Sequence, residues 1–186
     1  MDTPFHRFEN GMDLSELKLQ DLIDLEAIRI EIPYSKTLGI KLSDLEKIDS
    51  SLLEGKAVLF NTGWDENWGT EKYYDGNPFL TKGVAEYLRD SKGEKPSQIN
   101  FFFFQKFFFF LPKVKLVGID SHNIDDTSGN TRPVHSILLE NQILIVEHLC
   151  NLDSLPNNGF TFTAVPPKIK GVGTFPVRAY AKIVSK

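Results

Sequence analysis

Pro133-Val134-His135-Ser136-Ile137-Leu138-Leu139-Glu140-Asn141-Gln142-Ile143-Leu144-Ile145-Val146-Glu147-His148-Leu149 reads as a helix, a turn and a returning strand. Proline suits the first helical position, because the N–H it lacks would be unpaired there and its φ is already helical. The helix is expected to run to about Glu140, with Asn141-Gln142 as the turn. In the strand, Ile143, Ile145 and Glu147 share one face, while Leu144, Val146 and His148 share the other. A carboxylate in so apolar a run is costly unless it is paired or bound to metal. Glu147 therefore either emerges into solvent at the strand end or meets a cation. The helix–turn–strand geometry could bring His135 to Glu147. Taken alone, His135 reads equally as a hydrogen-bonded structural histidine.

The same rhythm extends outward from this unit. Ala27-Ile28-Arg29-Ile30-Glu31-Ile32-Pro33 alternates strictly and is expected to be a strand ended by proline. Ala57-Val58-Leu59-Phe60 is a short, wholly apolar run and reads as a central strand that leads into the polar, aromatic loop from Asn61 to Asn77. Thr81 to Asp90 reads as a helix with Val84, Ala85 and Leu88 inward. Val114 to Asp120 is a strand ending on a carboxylate, at the place where α/β sheets put their sites, although Asp120 could simply cap the next turn. Phe160 to Val165 and Val177 to Val184 read as the last strands. Leu14 to Leu25 carries apolar residues at mixed three and four spacing, which predicts one or two short helices, and Ser43 to Glu46 offers a helix start. Alternating strands and helices make the class α/β, a mixed sheet with flanking helices in one domain over residues 1–186.

Residues 93–113 break the rhythm. Phe101 to Phe104 and Phe107 to Phe110 hold eight of the fifteen phenylalanines, separated by Gln105-Lys106. The run is too short for a membrane span, which needs about 20 apolar residues. A buried strand and an aromatic platform are both open, but a low-complexity insertion fits best. The formal net charge of -4 supplies no basic field for nucleic acid or an anionic membrane. One cysteine, Cys150, excludes an internal disulfide and is expected to be a small buried residue in a reducing, cytoplasmic compartment. No basic-then-apolar leader opens the sequence.

Other polar residues divide between chemistry and surface. Asp2-Thr3-Pro4-Phe5-His6 sets a carboxylate and an imidazole on a segment that proline keeps out of a helix. Both groups suit zinc or a similar divalent ion, and both are equally at home in solvent. Asp125 and Asp126 are expected on a polar surface loop. Trp64 and Trp68 either wall a pocket or cap the core.

Taken together these motifs resemble the cyclase family of metal-dependent hydrolases, which includes kynurenine formamidases and isatin hydrolases. The family carries His-x-Gly-Thr-His-x-Asp-x-Pro-x-His, and this sequence has Asp2, Pro4 and His6 in that spacing. Phe8-Glu9-Asn10-Gly11, Leu59-Phe60-Asn61-Thr62-Gly63-Trp64, Leu116 to Asp120, Pro133 to Leu139, Ile145 to Leu152, and Ala164-Val165-Pro166-Pro167 with Lys170-Gly171 follow in the family's order. The resemblance implies a swivelling β/β/α domain, usually a homodimer or larger. It implies Asp2 as a metal-bridging carboxylate, His135 and Glu147 as further metal ligands, and His6 as the acid/base histidine. The implied cofactor is a divalent metal, zinc or else manganese, in a two-metal site. The implied reaction is hydrolysis of an amide C–N bond in a small molecule, N-formylkynurenine first and isatin-like cyclic amides after it. The two histidines that precede the aspartate in the family motif are not in this sequence. A chain shortened at its N-terminus, with one half of the metal site incomplete and little hydrolase activity, is the corresponding expectation, and a non-catalytic remnant is the alternative.

Overall fold

A computed structural model describes residues 1–46, 48–90 and 114–183, and the expected insertion at 93–113 lies outside the described residues. Eight strands are described: β1 (Leu25–Glu31), β2 (Gly39–Ile40), β3 (Lys56–Asn61), β4 (Phe79–Leu80), β5 (Val114–Ile119), β6 (Leu144–Val146), β7 (Phe160–Ala164) and β8 (Ala179–Ile183). Two α-helices, α1 (Lys82–Arg89) and α2 (Pro133–Glu140), accompany them. Six strands form one sheet in the order β6-β5-β3-β1-β7-β8, and β2 pairs with β4 in a small parallel ladder. β1, β3, β5 and β6 run parallel, while β7 and β8 are antiparallel additions at one side. The fold is therefore α/β with a mixed sheet.

The period-2 pattern explains why the parallel strands read as unbroken apolar runs: both faces of the sheet are covered. Ile28, Ile30, Val58, Phe60, Val117 and Ile119 point into one core, shared with Val84, Ala85 and Leu88 of α1 and with Val134, Leu138 and Leu139 of α2. Ala27, Ala57, Leu59 and Leu116 point into the opposite core, with Phe160 and Phe162 of β7. Gly118 interrupts β5 on that second face, where an added Cβ would come within 2.6 Å of Leu149 and 2.7 Å of Leu59.

Four expectations fail. Leu14 to Leu25 forms turns and a single 3-10 turn at Leu19–Asp21, not helices. Leu14, Leu17, Leu22 and Leu25 are buried, but turn chemistry takes the backbone between them: the Asp13 carboxylate accepts from Ser15 N at 2.8 Å and from Gly171 N at 2.6 Å. The segment at Ser43 is likewise a 3-10 turn, Leu42–Leu45. The strand expected from Ile143 to Leu149 spans only Leu144–Val146, and Cys150 beyond it is exposed rather than buried. Among the described residues no helix is long and apolar enough to cross a membrane.

Candidate metal centre

The site lies beyond the C-terminal ends of the parallel strands, where a sheet of this kind leaves a crevice. Glu147 follows β6 directly. Asp2 is brought beside it by the N-terminal segment, whose backbone is tied on both sides. Asp2 N donates to Ile145 O at 2.8 Å, and Thr3 N donates to Gly173 O at 2.8 Å. The segment is thus buried rather than solvated, with Asp2 only 4% exposed and Thr3 fully covered. Pro4–His6 then forms a 3-10 turn that needs two glycines beside it. A Cβ on Gly11 would meet Pro4 C at 2.5 Å, and one on Gly173 would meet His6 N at 2.3 Å.

His135 sits in the first turn of α2 and completes the group. Its Nε2 lies 3.7 Å from Asp2 Oδ2 and 3.5 Å from Glu147 Oε1. One ligand atom from each of Asp2, His135 and Glu147 falls within 4.8 Å of the others. So the structure brings together three of the four residues singled out from sequence. His6 stands next to them, its ring centroid 5.7 Å from that of His135.

The residue that organises the centre is Asp125, which the sequence suggested would be on the surface. It is fully buried. Asp125 Oδ1 accepts from Val134 N at 2.7 Å, and Oδ2 accepts from His135 N at 2.9 Å and from His135 Nδ1 at 2.7 Å. One carboxylate therefore caps the first turn of α2, where backbone N–H groups have no helical partner, and also fixes the imidazole. A carboxylate on Nδ1 keeps a proton on that nitrogen, so Nε2, facing Asp2 and Glu147, is the atom that would give up its proton and offer a lone pair to a cation. Glu147 is fixed in turn by Ile124 N, which donates to Oε1 at 2.7 Å.

The electrostatics favour a cation. Burial pushes the Glu147 carboxyl up to about 7, with the Asp2 charge adding to it and His135 opposing. Burial also disfavours ionised Asp2, but hydrogen bonds from His135 and Thr174 hold its carboxyl below the usual range. At His135 burial opposes the imidazolium, yet Asp125, Asp2 and Glu147 outweigh it and raise the pKa to about 9. Burial lowers the pKa of His6, which keeps it neutral near pH 7. Among the described residues, the ion pairs of Asp2, Asp125 and Glu147 are all to His135. Three buried carboxylates around one imidazole leave excess negative charge, which a divalent cation on Asp2, His135 and Glu147 would neutralise. The donor set of two carboxylates and one imidazole held by a carboxylate fits zinc or manganese.

The remaining candidates separate. Asp120 is buried and accepts from Thr62 N and Gly63 N, each at 2.7 Å, so it braces the β3–β5 crevice. Trp64 is buried in the core at 3% exposure, and Trp68 is 61% exposed on the wall of a cavity of about 970 Å³ that also reaches Asp2 and Glu147. Each of the two readings offered for the tryptophans holds for one of them.

The chain is similar to known proteins in sequence and in fold. A kynurenine formamidase of Erythrobacter litoralis is 27% identical over 168 residues, covering 90% of this chain and 64% of that protein. A kynurenine formamidase of Bacillus cytotoxicus is 24% identical over 180 residues, covering 96% of this chain and 72% of that protein. The chain thus spans about two thirds of the length of these relatives. Among solved structures, one described as a potential metal-dependent hydrolase with cyclase activity superposes with a TM-score of 0.72 at 23% identity, covering 96% of this chain and 74% of that one. An isatin hydrolase bound to the product analogue thioisatinate superposes with a TM-score of 0.75 at 21% identity, covering 97% and 69%. At such identities the structures establish the shared fold. The family model described as "Putative cyclase" matches residues 1–94, half of the 186-residue chain, and the chain belongs to that family.

Proposed function

We propose that this chain is a metal-dependent hydrolase of an amide C–N bond, with an aryl formamide such as N-formylkynurenine as substrate. The observation that carries the reading is the convergence of Asp2, His135 and Glu147 on one point, with Asp125 setting the histidine tautomer. The kynurenine formamidases among its relatives support the substrate class. A divalent ion held there would supply a water deprotonated near neutral pH and a positive charge for the oxygen that becomes anionic during attack.

The chain's own residues supply position and proton transfer. Asp2 and Glu147 would hold the ion through carboxylate oxygens, and His135 through Nε2. His6, neutral and beside the triad, takes a proton and delivers it to the departing nitrogen. Without that proton an aniline anion would have to leave. The balance is simple: water adds to the formyl carbon, the C–N bond breaks, and formate and the free amine are released. The cavity wall at Trp68 suits a planar aryl group.

The test is formate release from N-formylkynurenine by the chain loaded with zinc or manganese. Turnover is expected to require the metal and to be lost in His135→Ala. A metal-loaded, folded chain that hydrolyses neither aryl formamides nor isatin would overturn the reading.

A further inference from the structure

The wall of the cavity carries a histidine that the proposed reaction does not use. His148 follows Glu147 with a left-handed backbone, φ 59°. A non-glycine residue pays for that conformation in steric strain, and such strain concentrates at binding sites. The conformation is held by His148 N donating to Ser121 O at 2.9 Å. It swings the ring out of the line of β6 and onto the cavity that Asp2, Glu147, Trp68 and Tyr74 also line.

The ring is oriented as well as placed. Tyr73 Oη lies 3.0 Å from His148 Nδ1, and the ring of Trp68 meets the imidazole edge-on with centroids 5.7 Å apart. Burial raises the Tyr73 pKa, so its hydroxyl keeps its proton. The alternative acceptor for that proton, Asp120 O, is farther, at 3.4 Å. Tyr73 therefore donates to Nδ1, and the neutral imidazole carries its own proton on Nε2.

We propose that His148 is a specificity-determining residue, whose Nε2–H donates to an acceptor oxygen on the aryl ring, ortho to the scissile amide, while Trp68 covers the ring. This rests on the hydrolase reading only for the identity of the amide. The placement of an imidazole held by Tyr73 beside an exposed indole stands on the geometry alone. A site built to donate to such an oxygen discriminates against analogues that lack it.

The test uses the full chain loaded with zinc and two product-like amines, ortho-aminoacetophenone and aniline, with binding read by tryptophan fluorescence and calorimetry. A neutral hydrogen bond predicts about 3- to 10-fold tighter binding of the acyl-bearing amine. That preference is expected to collapse to about one in His148→Phe and to survive in part in His148→Gln, which keeps a donor. Tyr73→Phe, which frees the tautomer, is expected to lower it in between and serves if His148→Phe does not fold. In turnover, the same loss appears in KM for ortho-acetylformanilide relative to formanilide, with a smaller change in kcat. No preference in the wild-type chain, or a preference that survives His148→Phe or is untouched by Tyr73→Phe, overturns the assignment. A preference that depends on His148 in a chain that hydrolyses no formamide upholds the assignment and defeats the hydrolase reading.

Discussion

Replacing Asp125 with asparagine changes almost no volume but removes an acceptor that serves three donors. In the native chain Oδ1 takes Val134 N–H, and Oδ2 takes both His135 N–H and His135 Nδ1–H. Asparagine has one acceptor oxygen and one NH2 group. Whichever way the amide is turned, its NH2 faces at least one N–H, in a site with no exposure to water. A buried donor left without a partner costs about 1–3 kcal/mol. At about 2–4 °C per kcal/mol for a chain of this size, the metal-free melting temperature should fall by about 2–12 °C. The larger consequence lies at Nε2. With NH2 opposite Nδ1, the imidazole switches its proton to Nε2, the atom that faces Asp2 and Glu147. Loss of such a supporting partner typically weakens metal binding by about 10–100-fold, or about 1.4–2.8 kcal/mol. Calorimetric titration with zinc, with circular dichroism as the check on folding, measures this. A folded Asp125→Asn chain that binds zinc within about twofold of wild type would show that Asp125 does not set the tautomer, and the account of His135 would fall.

Gly173→Ala places a Cβ 2.3 Å from His6 N and 2.7 Å from His6 Cα, so the His6 turn must move. A displacement near 1 Å predicts about 100-fold loss in kcat/KM, with zinc affinity much less affected, and equal kcat/KM would refute the placement of His6. The metal-free chain should lose stability as pH rises from about 7 to about 9, above the range in which His6, His122 and His148, whose pKa values burial lowers, act with the opposite sign. Burial lifts Asp120 to about 6 and Glu147 to about 7, so the folded state holds protons that the unfolded chain releases. His135, raised to about 9 against the cost of burial, contributes stability that is present below its unfolded pKa and lost as pH climbs through the folded one. Urea denaturation in chelator across that range checks the sign, and stability that rises with pH would contradict it. Added zinc should restore stability at pH 7, because it takes the place of those protons.

Periodicity made the frame legible. The alternation at Ala27 to Ile32, the apolar runs at Ala57 and Val114, and Pro133 at a helix start each report a local steric or burial rule, and each became the expected element. The pairing of His135 with Glu147 was legible for the same reason, since a helix, a turn and a parallel strand fix their relative position. Asp125 was not legible. It and Asp126 have the same side chain in the same loop, and only the arrival of the N-terminus of α2 above one of them decides which is buried. Leu14 to Leu25 misled because four buried leucines can be presented by turns as well as by a helix, and Asp13 gave the backbone hydrogen-bond partners outside a helix. The end of β6 was misplaced because apolar content continues through Leu149, whereas the left-handed turn at His148 is set by contacts with Ser121 and Tyr73 that lie far away in sequence.

The most direct test of the central claim is an anomalous difference map from crystals of the chain grown with zinc. The account predicts a peak bonded to Asp2, His135 Nε2 and Glu147 at about 2.0–2.2 Å from each ligand atom, with Asp125 still on Nδ1. Zinc bound elsewhere on the chain, or a Glu147 carboxylate turned away from His135 in the zinc-loaded crystal, would contradict it.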